Sequence, residues 1–337
     1  MSNTVIVNFG NDGQADRYVV ESVVLQSEFG GDVIGSSNAS TDVSGGAVGG
    51  EDPLVSSMYS DTGSLDEAYY YGVEEWNAVK NISAYASGSN SMLFIADNFV
   101  NADIDFSNVT DTVELKVFNG KRSNILLGEG DDRIELSTAT NKASWSNEHR
   151  IDTGDGDDII TVHSGDLSGG AILNYVDGSL TTIVAHLGDG DDVYGTDDGI
   201  LTKDTVFGGK GEDVIFTGGG NDVLAGGEDR GIVIYDDVDD LYRILAQGDV
   251  LQGGAGADEF IYTTSNGFDE LGDGFDHIVD FADEDVLTLN TQPSDVVTTE
   301  EVTVVQGADT FTGTMVFVND DAAVFLQDFT NTSEIFS

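Results

Sequence analysis

A nine-residue period between Gly199 and Thr288 is the feature that most narrows what this chain can fold into. Counted in nines from Gly199, ten consecutive windows place Asp204, Asp213, Asp222, Gly231, Asp240, Asp249, Asp258, Gly267, Asp276 and Asp285 at the sixth position. The eighth position holds Val206, Ile215, Leu224, Val233, Tyr242, Leu251, Phe260, Asp269, Ile278 and Leu287. Eight of ten sixth positions are aspartate and nine of ten eighth positions are apolar, in a chain where 45 of 337 residues are aspartate. Phasing of that strength does not come from composition, and a fixed period means stacked structural units.

Glycines account for the remaining positions. In "GGKGED" (208–213) and "GGAGAD" (253–258) they stand where a reversing chain needs positive φ or a close backbone approach. The three residues after each aspartate then form a brief strand whose middle side chain, the eighth position, points inward. Two nonapeptides make one coil of 18 residues, so strands stack in parallel about 4.8 Å apart around a narrow apolar core. The ten windows are expected to give five coils, with the aspartates of every second window, such as Asp240, Asp258 and Asp276, in one row.

Two carboxylates about 5 Å apart repel by roughly 1 kcal/mol in water and by several times that when partly buried. The row therefore requires cations. Carboxylates and turn carbonyls without imidazole or thiolate make a hard oxygen site, and flexible turns suit the roughly 6 to 8 ligands of calcium better than the strict octahedron of magnesium. A single Gly-Asp turn would be no more than a solvated turn of an acidic β-protein; the phased array is what calls for metal. An EF-hand loop is excluded, because no D-x-[DN]-x-[DN]-G string with a glutamate at the twelfth position occurs.

This pattern resembles the glycine-rich nonapeptide of RTX proteins, G-G-x-G-x-D-x-U-x. "GGKGEDVIF", "TGGGNDVLA" and "GGAGADEFI" match it closely, while "LGEGDDRIE" (127–135), "TGDGDDIIT" (153–161) and "LGDGDDVYG" (187–195) match from the second glycine onward. "GGEDRGIVI" and "YTTSNGFDE" depart from it, having glycine where the aspartate belongs. The resemblance implies an all-β parallel roll or solenoid, calcium between its turns, and export of the unfolded chain through a type I channel. The expected ligands are Asp132, Asp158, Asp192, Asp213, Asp222, Asp240, Asp249, Asp258 and Asp276, with the turn glycines Gly128, Gly130, Gly154, Gly156, Gly188, Gly190, Gly209, Gly211, Gly254 and Gly256. The upstream copies are spaced by 26, 34 and 21 residues, which are not multiples of nine, so loops such as "STATNKASWSNEHR" are expected to bulge from the coils.

Composition sets the partners. With 63 acidic against 12 basic residues the formal charge is −51, which opposes any compact state until cations bind. Nucleic acid and anionic membranes are excluded as partners, since both require lysine and arginine stripes. The absence of cysteine removes disulfides, thiolate metal sites and a cysteine nucleophile. No Sec-type signal peptide and no transmembrane segment is read in the chain.

Three regions are expected. Residues 1–90 read as a small β-rich region: two strands up to residue 29, a long glycine and serine loop over 30–64, and a helix in "SLDEAYYYGVEEWNAVK" capped by Ser64 and Glu67, with Leu65, Tyr69, Val73 and Trp76 on one face. Residues 91–288 read as the solenoid. Residues 289–337 read as a C-terminal antiparallel cap, with strands "EVTVVQG", "TMVFVND" and "AAVFLQDF" and a hairpin turn at Asn319–Asp321; the last five residues, "SEIFS", resemble a type I export terminus. Lys116, Lys121 and Arg122 form the densest basic group, expected to make local solvated ion pairs.

Catalytic signatures are missing: there is no H-E-x-x-H and no G-x-S-x-G, and His149, His163, His186 and His277 are scattered. The sequence therefore points to a non-enzymatic, secreted, calcium-dependent structural protein of a bacterial surface, a surface-layer, filament or adhesion subunit. The alternative is a soluble module that binds or modifies an extracellular polysaccharide. The expected partners are calcium ions and either further copies of the chain or a cell-surface glycan.

Overall fold

The computed structural model describes residues 4–11, 18–27, 30–33, 67–71, 79–88, 92–97, 99–118, 120–137, 147–163, 181–197, 200–236, 241–264, 274–331 and 335–336. Every regular element among them is a β-strand. The chain divides into two compact units, Met1–Val184 and Ala185–Ser337.

The first unit begins with β1 (Thr4–Asn11), β2 (Tyr18–Ser27), β3 (Gly30–Val33) and β4 (Glu67–Tyr71). It continues with β5 (Val79–Gly88), β6 (Met92–Asp97), β7 (Phe99–Val109) and β8 (Val113–Phe118). Then come β9 (Arg122–Leu126), β10 (Arg133–Ser137), β11 (Asn147–Asp152) and β12 (Ile159–His163). The strands form two ladders, β11-β9-β7-β5-β1-β2-β3 and β12-β10-β8-β6-β4. All pairs are parallel except the antiparallel β1–β2–β3. Residues alternate in and out along β9, β11 and β12, most strictly in β11 with its buried/exposed pattern. Ile104, Phe106, Ile125 and Ile151 of the first ladder and Phe94, Leu115, Ile134 and Ile160 of the second are all buried, with Phe94 and Phe106 meeting edge to face at 5.4 Å.

Here two expectations are corrected. Glu67–Tyr71 is not helical but strand β4, paired in parallel with β6 in the register Tyr69↔Phe94 and Tyr70↔Ile95. A neighbouring strand that satisfies the backbone, together with three consecutive tyrosines that favour the pleated conformation, overrides the helical spacing and the capping pair. Ser64, Leu65, Val73 and Trp76 lie outside the described residues. The long loop read from residue 30 is also interrupted, since Gly30–Val33 forms β3 against β2. Of "STATNKASWSNEHR", the last four residues are not loop but the start of β11; residues 138–146 lie outside the description.

The second unit holds the phased array. It comprises β13 (Thr181–Asp189, its first half in the preceding unit), β14 (Val193–Thr196), β15 (Lys203–Lys210), β16 (Val214–Phe216) and β17 (Val223–Glu228). Next are β18 (Ile232–Asp236), β19 (Leu241–Ala246), β20 (Val250–Gln252), β21 (Glu259–Thr263), β22 (Asp276–Ile278) and β23 (Val286–Asn290). Last are β24 (Val297–Gln306), β25 (Asp309–Val318) and β26 (Asp321–Gln327). One parallel ladder runs β15-β17-β21-β23, in register Val206↔Leu224, Leu224↔Phe260 and Phe260↔Leu287. Facing it, β14-β16-β20-β22-β26 runs in register Tyr194↔Ile215, Ile215↔Leu251, Leu251↔Ile278 and Ile278↔Leu326. The inward eighth positions Val206, Ile215, Leu224, Leu251, Phe260, Ile278 and Leu287 are all buried, as the period requires.

The ten windows do not, however, make five coils. Beyond β17, which stays paired with β15 through Glu228, the chain leaves the roll: β18 and β19 pair with each other as an antiparallel hairpin that joins β24 of the C-terminal sheet. Val233 and Tyr242 consequently pack against Ile244, Val304, Met315, Phe317 and Phe325 in a separate cluster. Residues 265–273, between β21 and β22, lie outside the described residues, and Gly267 with them; Gly231, the other glycine at a sixth position, stands immediately before β18. The C-terminal strands are antiparallel, as expected, and the turn between β25 and β26 places Asn319 and Asp320 at φ 56° and 70°, the two positive values of a type I′ hairpin.

Candidate metal centre

Each coil of the second unit turns twice, and an aspartate stands at or just before the start of the strand that follows each turn. Asp222, Asp258 and Asp285 stand immediately before β17, β21 and β23, and Asp204 is the second residue of β15; Asp192, Asp213 and Asp249 stand immediately before β14, β16 and β20, and Asp276 opens β22. All eight are buried. They are chained by the backbone. Asp204 N–H donates to Asp222 Oδ1 (2.8 Å), Asp222 N–H to Asp258 Oδ1 (2.9 Å) and Asp258 N–H to Asp285 Oδ1 (2.9 Å). In the other row Asp192 N–H donates to Asp213 Oδ1 (2.9 Å) and Asp213 N–H to Asp249 Oδ1 (2.8 Å). The first unit repeats the device, with Val113 N–H on Asp132 Oδ1 and Asp132 N–H on Asp158 Oδ1, both 2.7 Å.

This order corrects the expected row. Asp258 stacks with Asp222 and Asp285, and Asp276 follows Asp249, because some steps of the ladder span 36 or 27 residues and not 18. Asp240 lies outside the described residues.

One oxygen of each carboxylate is thus engaged. The other, Oδ2 of Asp213, Asp222 and Asp258, is buried without a hydrogen bond. A methyl group on Gly208 or Gly253 would collide with Oδ2 of Asp213 or Asp258, so the first glycine of the repeat is the floor beneath the carboxylate. The second and fourth positions reverse the chain: Gly209, Gly211, Gly254 and Gly256 have φ of +123°, +131°, +88° and +149°, where a side chain is strained. Gly154, Gly156, Gly188 and Gly190 do the same upstream. Gly128 and Gly130 lack that conformation but leave no room for a Cβ against Val109 and Asp111. Gly218, Gly220 and Gly227, not singled out from the sequence, share the positive φ; "TGGGND" carries the signal for the first two.

Burial is the main force on these carboxyls. It pushes Asp132, Asp213, Asp222 and Asp258 up to about 7 and Asp158 to about 6, with neighbouring carboxylates adding to the rise. Buried carboxylates with an oxygen unsatisfied and floored by glycine fit a hard divalent cation. Asp213, Asp222 and Asp258 would hold calcium there, and it would supply the positive charge that the array lacks.

Asp229 was not foreseen. It sits in the broken window "GGEDRGIVI", two residues before the expected position, and accepts N–H bonds from Gly231 (2.6 Å), Phe275 (3.2 Å) and Asp249 (3.3 Å). It thereby accepts the backbone bond of Asp249, and lies with Asp249 and Asp276 in one buried group of carboxylates. No periodic signal marks it. The histidines are scattered rather than gathered: His149 is fully buried on Ser123 Oγ at 2.8 Å, His277 is held by Gln327 at 3.0 Å beside Phe325, His163 is half-buried and His186 is exposed. Lys116 reaches beyond a local pair to Glu135 on the next coil, at 3.1 Å.

Residues 198–233 and 246–262 match the family model of the RTX calcium-binding nonapeptide repeat, in four copies. The interruption between the matched segments falls within the β18–β19 hairpin, the part the roll expels. No curated protein matches the chain. Phased turns, buried aspartate rows and this match agree: the chain carries RTX calcium-binding nonapeptide repeats, and its cation is Ca2+.

Proposed function

We propose that this chain is a secreted, calcium-dependent structural protein of a bacterial cell surface, a non-enzymatic surface-layer, filament or adhesion subunit that folds and assembles when it meets extracellular calcium. The observation that carries the reading is the absence of any balancing cation in the protein itself. Among the described residues no lysine or arginine is buried, while aspartates are buried throughout the roll. A chain of charge −51 with such a core stays open where calcium is scarce and closes where it is plentiful. Extracellular calcium modules have dissociation constants of about 10⁻⁴ to 10⁻³ M, which separates the two sides of a cell envelope. Folding and neutralisation then share one trigger, and copies approach within a Debye length of about 10 Å only outside.

Light scattering and electron microscopy of the purified chain, with calcium and with chelator, test this. Ordered assemblies that need calcium are expected. A folded monomer that stays monomeric in millimolar calcium and retains affinity for a polysaccharide would replace this reading with that of a glycan-binding module.

A further inference from the structure

The β18–β19 hairpin is an insertion inside one turn of the repeat. Successive aspartates of a row stand 18 residues apart where nothing intervenes, as Asp204 and Asp222 do, but Asp213 and Asp249, and likewise Asp222 and Asp258, stand 36 apart. Both longer steps span the hairpin, and the surplus equals two windows of the repeat. Joining "GGED" (226–229) directly to "GDVLQ" (248–252) restores one nonapeptide, with Gly226 and Gly227 at its first two positions, Asp249 at the sixth and Leu251 at the eighth. The structure assembles the two pieces in that way. Gly227 has φ +119° beside Gly209, its partner in the ladder, at +123°. A methyl group on Gly226 would collide with Oδ2 of Asp249, as one on Gly208 would with Oδ2 of Asp213. Asp213 N–H donates to Asp249 Oδ1 at 2.8 Å, the same bond that ties Asp204 to Asp222 without an insertion.

One carboxylate joins the halves. Asp229, the last residue of the first piece, accepts N–H bonds from Asp249 in the second piece (3.3 Å), from Gly231 at the entrance to the hairpin (2.6 Å) and from Phe275 in the coil beyond (3.2 Å). It is buried, and Gly248 and Gly274 leave no room for a Cβ beside its two oxygens. Phe275 in turn packs with Ile244 of β19 in the cluster beneath the hairpin. Asp249 and Asp276, both expected calcium ligands, each bring an oxygen within 4.8 Å of the other and of Asp229. We propose that the turn at Asp249 is a single calcium turn divided by the hairpin, and that Asp229 is its positioning residue, so that an ion held by Asp249 and Asp276 closes the base of the hairpin. Parting the ends of the hairpin parts Gly226 from Asp249, so calcium at this turn and a closed hairpin favour each other reciprocally. The proposal holds for a single chain as for an assembly.

Calorimetric calcium titration and hydrogen exchange of the full chain test the divided turn. In the wild type the amides of β18 and β19 are expected to gain protection at the same calcium midpoint as those of β20. Asp229→Ala is expected to weaken one calcium ion about 10- to 100-fold and to leave the others in place. At calcium levels that saturate those others, its hairpin amides should exchange faster while the β15–β17–β21 ladder keeps its protection. Gly226→Ala, which leaves Asp229 untouched, is expected to weaken the same single ion; a glycine that served only the window of Gly231 would affect none. Variants that melt lower with every ion still bound at the wild-type midpoint would make Asp229 and Gly226 structural ties and overturn the proposal. One ion weakened with hairpin exchange unchanged, or a hairpin protected in chelator, would overturn the closure. Should Asp229→Ala not fold in calcium, Gly226→Ala decides by the same readouts.

Discussion

The backbone N–H of Asp222 donates to the Oδ1 of Asp258 at 2.9 Å, across 36 residues of sequence. A window of the repeat is thus tied to the next coil by the same carboxylate that faces the cation. Asp258→Asn keeps the acceptor and removes the charge; Asp258→Ala removes both. The asparagine variant is expected to fold with calcium affinity reduced about tenfold or more, roughly 1.4 kcal/mol or beyond, and to be more stable than wild type without calcium. The alanine variant is expected to lose affinity and stability together. Asp309→Ala, on an exposed position outside the array, should leave the calcium midpoint unchanged. Calorimetric titration of the three separates them, and equal midpoints would remove Asp258 from the site.

Glycine geometry gives a second expectation. Gly256 has φ +149°, and a Cβ there would fall on the carbonyl of Gly220 in the neighbouring coil. Gly256→Ala combines backbone strain with an overlap that neither coil can relieve, at a cost on the order of 3 kcal/mol or more. Gly307→Ala, at φ +60° with open space around it, should cost only about 1–2 kcal/mol. Thermal unfolding in saturating calcium checks the contrast.

What the sequence made legible follows the period. Position eight found Phe260, Leu224 and Ile278 in the core, and position six found the ladder aspartates, because a fixed spacing and a fixed coil are one geometric statement. It failed where the period persists but the coil does not. Val233 and Tyr242 keep their phase, yet they lie on β18 and β19, which leave the roll; only the missing aspartate at Gly231, just before β18, hinted at it. Asp229 was invisible because its place is set by three-dimensional stacking on Asp249, not by its distance from any glycine. Tyr69 and Tyr70 misled in another way, since helical spacing and strand propensity coincide there and a parallel partner at Phe94 and Ile95 decided the outcome.

Acidity should imitate calcium. Burial raises Asp213, Asp222 and Asp258 from the ordinary 3.8 to about 7 in the calcium-free fold. A carboxyl with a raised folded-state value holds a proton that the unfolded chain has released, so its contribution is fully present below 3.8 and is lost as pH rises through about 7. Without calcium, the β-spectrum and a cooperative melt are therefore expected near pH 5 and should vanish by about pH 8. With calcium they should persist at both, and the apparent calcium affinity should weaken below about pH 7 as protons compete for the same oxygens. A calcium-free spectrum indifferent to pH would contradict this.

The row that contains Asp222 and Asp258 begins with an aspartate of a different kind. Asp204 is fully buried, but its Oδ2 accepts hydrogen bonds from the Tyr194 hydroxyl (2.9 Å) and from Thr196 Oγ1 (3.2 Å). Its window, "GILTKD", has isoleucine and threonine at the second and fourth positions, where "TGGGND" has Gly218 and Gly220. Hydroxyl donors hold Oδ2 of Asp204, while its Oδ1 is buried without a hydrogen bond, so what sets it apart from Asp222 is the chemistry around Oδ2 and the lack of glycine turns. Tyr194→Phe leaves that buried oxygen short of a donor, at a cost of roughly 1–3 kcal/mol, while the number of calcium ions bound should not change. Asp204→Asn still accepts from Tyr194 and should also leave the calcium count alone. Calcium stoichiometry measured beside the melting temperature decides the point: a variant that melts lower with every ion retained is expected, and the loss of one ion in either would make Asp204 a ligand.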